Sequence, residues 1–321
     1  MTEAQQITAD VPEDSVMYDQ QEVDPQKVRP IQMGEFLRKY VSRRLLALSE
    51  GEIAALTTAM RQLGVGSQGG AETLAIFHQL LYDEWIAGSL AQSLARIKVD
   101  EKNCFGMIEW KAVREAATRL LPKHTAAAAW KHRHLSHVEQ EGLPPMPKDR
   151  GAEQGDVDGP LECSLALGMM AAETRERVAA QQATGMLPWI GVEDPADLPT
   201  LQASVLLKQQ ESARFQVGGS EQLTGDDDPR HEIQKNGSLA DLWYVDDGDI
   251  LCHPALVPAY LREFDLANIK VGAERNPQKT EVFYFCADLD EAPPEWKIDE
   301  VREQATVATA ISGSITLGAA V

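Results

Sequence analysis

Positive charge is scarce in this chain. Lys and Arg number 30 against 50 Asp and Glu in 321 residues, for a formal net charge of -20. That balance has the wrong sign for a protein that grips a phosphate backbone over its whole surface, and leaves such contacts to a local basic region. Cysteine is scarce too: Cys104, Cys163, Cys252 and Cys286 are the only four, none in a C-x-x-C pair. Their spacing excludes a disulfide framework and fits ordinary buried thiols in a reducing compartment. The N-terminal residues have neither a basic stretch nor an apolar stretch of the secretory kind. Nor is there an apolar run of about 18 residues, so no membrane span is expected. The expected location is intracellular, in nucleus or cytoplasm.

What is present is enough apolar material, 43% of the residues, to build a real core. The charge is uneven. Residues 1–28 are acidic, as is the stretch from about 190 to 235, with Asp226, Asp227 and Asp228. Arg29 to Arg44 and Lys111 to Arg133 are basic. The expected organisation is an acidic disordered leader over 1–27, a helical region over 28–93, and an α+β region over 94–321 with an acidic insertion at about 183–238.

Apolar periodicity places helices at 36–48, 50–62, 71–86, 108–121, 124–137, 160–182 and 255–267. Ser49 to Glu52 has the form of a capping box, and Pro160 opens its helix at the first turn. Strands are expected at 94–100, 280–287 and 306–317, with a hairpin at 239–252. Gly64 to Gly70 reads as a flexible loop that lacks the Lys-Ser/Thr end of a phosphate loop. His124, His132, His134 and His137 cluster among basic residues. A zinc site there competes with a solvated basic helix, and the helix is the expected outcome.

The most informative segment is Tyr244-Val245-Asp246-Asp247, a turn between two strand-like runs. Adjacent carboxylates repel and raise each other's pKa, a penalty that a divalent metal removes. Asp100 ends a separate strand. An aspartate from one strand plus a pair from a neighbouring hairpin is the ligand set that two-metal nucleotidyl transfer requires.

Four segments in order resemble the palm motifs of reverse transcriptases, most closely those of non-LTR retrotransposons and group II introns. They are Val99 to Gly106, Gln154 to Leu161, Tyr244 to Asp247, and Asn276 to Glu281. Arg29-Pro30-Ile31 and Leu317-Gly318 are weaker matches, to a fingers segment and a primer-grip turn. The resemblance implies an α+β fingers–palm fold, its antiparallel palm sheet carrying helices on one face, with the thumb missing. It implies an RNA-directed DNA polymerase acting on an RNA template, a DNA primer and dNTP with two Mg2+ (or Mn2+) ions. Asp100 and Asp246 would chelate both metals, assisted by Asp247. Phe105 would exclude a 2′-hydroxyl, and Gln154 and Gly155 would line the nucleotide pocket. Arg29 would hold the triphosphate, and Lys279 would neutralise or protonate the leaving pyrophosphate. The second motif departs from the family form at Val157-Asp158, and Asp158 is expected to put negative charge where template or nucleotide lies. Two other readings are a catalytically silent retroelement remnant or nucleic-acid-binding module on the same fold, and an unrelated metal-dependent phosphohydrolase.

Overall fold

Five short strands make the central sheet of the computed structural model: β1 (Ala95–Val99), β4 (Ala240–Tyr244), β5 (Asp247–Cys252), β6 (Glu281–Tyr284) and β7 (Thr306–Thr309). Their spatial order is β4-β5-β1-β6-β7, antiparallel except for the parallel β6–β7 pair. The structure describes residues 36–88, 93–133, 136–138, 144, 146–152, 156–184, 186–187, 240–310, 315–316 and 319–320. The chain divides into two units, Met1–Ile31 and Gln32–Val321, and the first lies wholly outside the described residues. So does most of the acidic insertion expected at about 183–238, from residue 188 onward.

Period-two alternation decides the two faces of the sheet. Ala95, Ile97 and Val99 of β1 point one way and cluster with Ile250 and Cys252 of β5 and Val282 and Tyr284 of β6. Three helices bring apolar residues to this cluster: α5 (Trp110–Leu120), α7 (Gly159–Ala183) and α8 (Val257–Val271). The rings of Trp243 and Phe264 stack at 6.2 Å, and Tyr260 and Phe264 at 5.9 Å. Each such buried side chain contributes roughly 1.5–3 kcal/mol. Helix α8 begins with Pro258 in its first turn and ends on Gly272 at φ 76, the left-handed cap that glycine adopts without strain. A side chain there would also meet Glu109 Cγ at 2.6 Å.

The opposite face was expected to be free of helices, and it is not. Helix α3 (Gly70–Ile86) lays Phe77 and Leu81 on Leu251, with Leu94, Leu242 and Phe285 around them. Beside this patch Asp249 is buried and held by Arg96 through two bonds of 2.6 Å, with His78 Nε2 at 3.0 Å. Burial alone would raise the Asp249 carboxyl, but Arg96 and His78 outweigh it and hold it well below its ordinary value. These odd positions of β5 need cover, and α3 supplies it. The end of this face nearest Asp247 carries only half-exposed residues: Lys98, Asp100, Tyr244 and Asp247.

Local expectations failed in places for identifiable reasons. Ser49 makes no side-chain cap. Its N–H instead continues the ladder of α1 (Phe36–Leu48) to Leu45 O at 3.0 Å, so α2 (Glu50–Ala59) follows almost without a break. The helix expected at 124–137 stops early. After α4 (Cys104–Met107) and α5, the chain makes a 3-10 turn at Pro122–His124 and then α6 (Thr125–Lys131). Residues Ser136–Val138 (β2) instead pair with Met146–Lys148 (β3). A short helix, α9 (Ile298–Arg302), was not foreseen. The last expected strand is β7 followed by a two-stranded ribbon, β8 (Ile315–Thr316) with β9 (Ala319–Ala320).

Candidate active site

Strands β4 and β5 are joined by a two-residue turn, Val245-Asp246, closed by the pair Tyr244 and Asp247. Two-residue hairpins favour turns with a left-handed corner, because these match the twist of the strands. Here that corner is Val245, at φ 58. A β-branched residue in this region is strained by roughly 1–3 kcal/mol and persists only when its surroundings hold it. Gln62, just beyond α2, supplies the hold. Its Oε1 accepts from Val245 N at 2.7 Å, and its Nε2 donates to Val245 O at 3.1 Å.

The register of β1 on β5 runs from Ala95 opposite Cys252 to Val99 opposite Gly248. Carried one residue further, it sets Asp100 across from Asp247, on the face shared with Lys98 and Asp249. Asp247 is pushed up to about 6, first by burial and then by the charge of Asp246, with Asp100 adding and Lys98 opposing. The fourth motif closes on the same point. Asn276 N donates to Asp100 O at 2.7 Å, and Lys279 Nζ lies 3.7 Å from Asp100 Oδ2. Asn276 also organises its own turn, its Oδ1 accepting from Gln278 N at 3.2 Å and its carbonyl from Thr280 N at 2.8 Å. Next to Asp100, the buried Glu101 is raised to about 7, chiefly by burial, while Asn268 Nδ2 donates to it at 2.8 Å.

Phe105 sits on α4, half-buried against the main core cluster. Its neighbour Cys104 touches Cys163 of α7 at 3.2 Å, tying the first motif to the helix that the second motif opens. All four cysteines are free, three of them buried, as expected. Gln154 and Gly155 lie outside the described residues, but both flanks are fixed. Before them, Gly151 N donates to Ile108 O at 2.7 Å and Gly151 O accepts from Trp110 Nε1 at 3.0 Å. After them, Asp156 and Asp158 meet Lys131.

Lys131 corrects two expectations. Its ammonium is buried and lies 2.8 Å from Asp156, 2.6 Å from Asp158 and 3.2 Å from Glu162. Ser42 Oγ also donates to Asp158 at 2.7 Å. Asp158 is therefore a helix-opening residue turned toward Lys131 and Ser42, not a charge presented to a nucleotide. Burial raises its carboxyl and Lys131 pulls the other way. The stretch 124–137 is likewise not a solvated basic helix. His132 is buried with its Nε2 2.9 Å from Glu162, and His137 has left the helix for β2. Three other cations of the 111–133 stretch also pair with protein groups: Arg114 donates to His132 O, and Lys111 and Lys123 make exposed pairs with Glu115 and Glu52.

The structure thus sets Asp100, Asp247 and Lys279 at one end of the sheet, with Asp246 in the adjoining turn and Phe105 in the segment that follows Asp100. Arg29, Gln154, Gly155 and the Leu317-Gly318 turn lie outside the described residues. Sequence reasoning missed Gln62 and Lys131. Gln62 left a signal, a glutamine two residues before the first glycine of the Gly64 to Gly70 segment, whereas Lys131 left none.

Among the described residues, no group of three or more His, Cys, Asp or Glu side chains is already gathered to hold a metal. The chemistry of the three aspartates still fits a hard divalent cation. They are oxygen donors, and one of them is driven toward protonation by burial and by like charge. No protein-family model matches this chain, and no curated protein matches it. No helix among the described residues is long and apolar enough to cross a membrane.

Proposed function

We propose that this chain is a fingers–palm portion of an RNA-directed DNA polymerase of the non-LTR retrotransposon type. One observation carries the reading. The sheet register brings Asp100 opposite Asp247, beside Asp246 in the turn, with the Asn276–Lys279 segment closing on Asp100. Three separated motifs of the resemblance meet at one open sheet end, an arrangement their sequence spacing does not require.

In the reaction a primer 3′-hydroxyl oxygen bonds to the α-phosphorus of a dNTP, and the bond to pyrophosphate breaks. Two Mg2+ or Mn2+ ions, held by Asp100 and Asp246 with Asp247 assisting, would neutralise the attacking and leaving oxygens. The rest falls to side chains. Lys279 is exposed and carries its ammonium beside Asp100, where it can meet pyrophosphate or give it a proton. Phe105, on the short helix after Asp100, would exclude a 2′-hydroxyl. Arg29, Gln154 and Gly155 keep the nucleotide-binding roles the resemblance gives them.

The alternative, a silent module on the same fold, is favoured by Lys131 and Arg114 of the 111–133 stretch, whose charges are taken up by groups of the protein itself. Titrating salt against a primer–template separates the two, since a polymerase binds tightly and with steep salt dependence. The deciding experiment extends a labelled DNA primer on an RNA template with each metal. The expected result is dNTP addition that exceeds rNTP addition. No addition with either metal, by protein verified as folded, overturns the proposal.

A further inference from the structure

Gln62 sits in a segment that prolongs the sheet beyond β4. Trp243 N donates to Arg61 O at 3.0 Å, and Leu63 N donates to Trp243 O at 2.6 Å. The Gln62 side chain is buried, only 2% exposed, and it points at the hairpin turn rather than into a core. Both ends of its amide are engaged there. The Oε1 accepts from Val245 N at 2.7 Å and Gly64 N at 2.9 Å, and the Nε2 donates to Val245 O at 3.1 Å. The amide therefore closes on both backbone polar groups of one residue. That residue is the strained one, Val245 at φ 58.

The loop has no slack against the turn. A Cβ on Gly64 would stand 2.7 Å from Val245 N and 3.1 Å from Tyr244 C, so only glycine allows this approach. Arg61 itself takes φ 54 to aim the segment, and its guanidinium lies 3.6 Å from Asp241. Two left-handed non-glycine corners thus face each other across the contact. Such strain is retained where surrounding structure over-determines it, commonly at functional sites.

We propose that Gln62 is the positioning residue of the candidate site: its amide holds Val245 in the left-handed conformation that sets where Asp246 and Asp247 point. The functional half of this inference rests on the polymerase reading. The structural half does not. Gln62 touches no reacting atom, and its action runs through one peptide of the turn.

The test is a cycle of Gln62→Met, Val245→Gly and the double variant, read in three ways. Methionine keeps the bulk and removes both hydrogen-bonding functions, while glycine at 245 adopts positive φ without help. First, amide exchange at Val245 should quicken in Gln62→Met by about tenfold or more over the exchange of neighbouring strand amides. Second, primer extension by Gln62→Met should fall by roughly ten- to a hundredfold in kcat, with KM for dNTP changed by less than about twofold. Third, the same change made in the Val245→Gly background should cost at most about a third as much in log units, because there is no strained corner left to hold. Additive losses, an equal fall through KM, or unchanged Val245 exchange overturn the proposal. If the wild-type protein itself extends nothing, the polymerase reading fails, and the exchange measurement alone still decides whether Gln62 holds the turn.

Discussion

Replacing Lys131 with methionine removes the ammonium that Asp156, Asp158 and Glu162 share at 2.8, 2.6 and 3.2 Å. Methionine preserves most of the stem, so little cavity forms and the loss is electrostatic. Leaving buried charge without its partner costs about 3–5 kcal/mol, against a total stability of about 5–15 kcal/mol for a typical domain. The sign with pH follows from linkage. In the variant the carboxylates lose their cation and their folded pKa values rise above the unfolded ones. The deficit is therefore smallest in mild acid and grows as pH rises through the raised values. Urea unfolding at pH 5 and pH 8 measures it, with Lys131→Arg as a charge-keeping control. A loss under about 1 kcal/mol, or one equal at the two pH values, would show that the cluster is solvated and that Lys131 does not hold Asp158. Because this cluster opens α7, the second motif should loosen with it.

The remaining predictions concern the sheet and its open end. Arg96→Met should cost about 3–5 kcal/mol in denaturant stability, since it strands the buried Asp249 carboxylate between α3 and the sheet; a loss within experimental error would mean that α3 does not seal this face. Glu101 is raised from 4.5 to about 7, so wild-type stability should fall by up to about 3 kcal/mol as pH rises through that window. Glu101→Gln should flatten the slope between about pH 6 and 7 and leave below it the part that Asp247, raised to about 6, contributes; a slope unchanged above pH 6 would assign it elsewhere. Phe105→Val should raise rNTP use relative to dNTP by roughly ten- to a hundredfold in single-nucleotide extension; an unchanged ratio would make Phe105 a core aromatic only.

The sequence made the elements with strong local signals readable. Helix α7 was expected at 160–182 and spans Gly159–Ala183, because a proline opens it and its apolar residues repeat evenly. The hairpin was expected at 239–252 and occupies β4 and β5, because Asp-Asp-Gly between apolar runs is strong turn chemistry. Long-range pairing left weaker traces. The cover that α3 gives the second sheet face depends on Leu251 and Asp249 needing partners, and nothing near them in sequence names a helix so much earlier in the chain. In the sequence a lysine among histidines, as Lys131 is, has the look of a solvated residue. Only the fold reveals that Asp156, Asp158 and Glu162 converge on it. The role of Gln62 is hidden in the sequence because the glycines beside it read as a flexible loop. In the fold those glycines permit close contact, Gly64 with the turn and Gly70 with the Leu63 carbonyl.

The central claim is that Asp100 and Asp246, with Asp247, form one metal-binding site. A crystal structure of the full chain with Mn2+, a primer–template and a non-reacting dNTP analogue tests it most directly. The account predicts anomalous density between Asp100 and Asp246, with Lys279 moved from Asp100 toward the phosphates. Manganese absent from that site, with Lys279 still paired to Asp100, would contradict it.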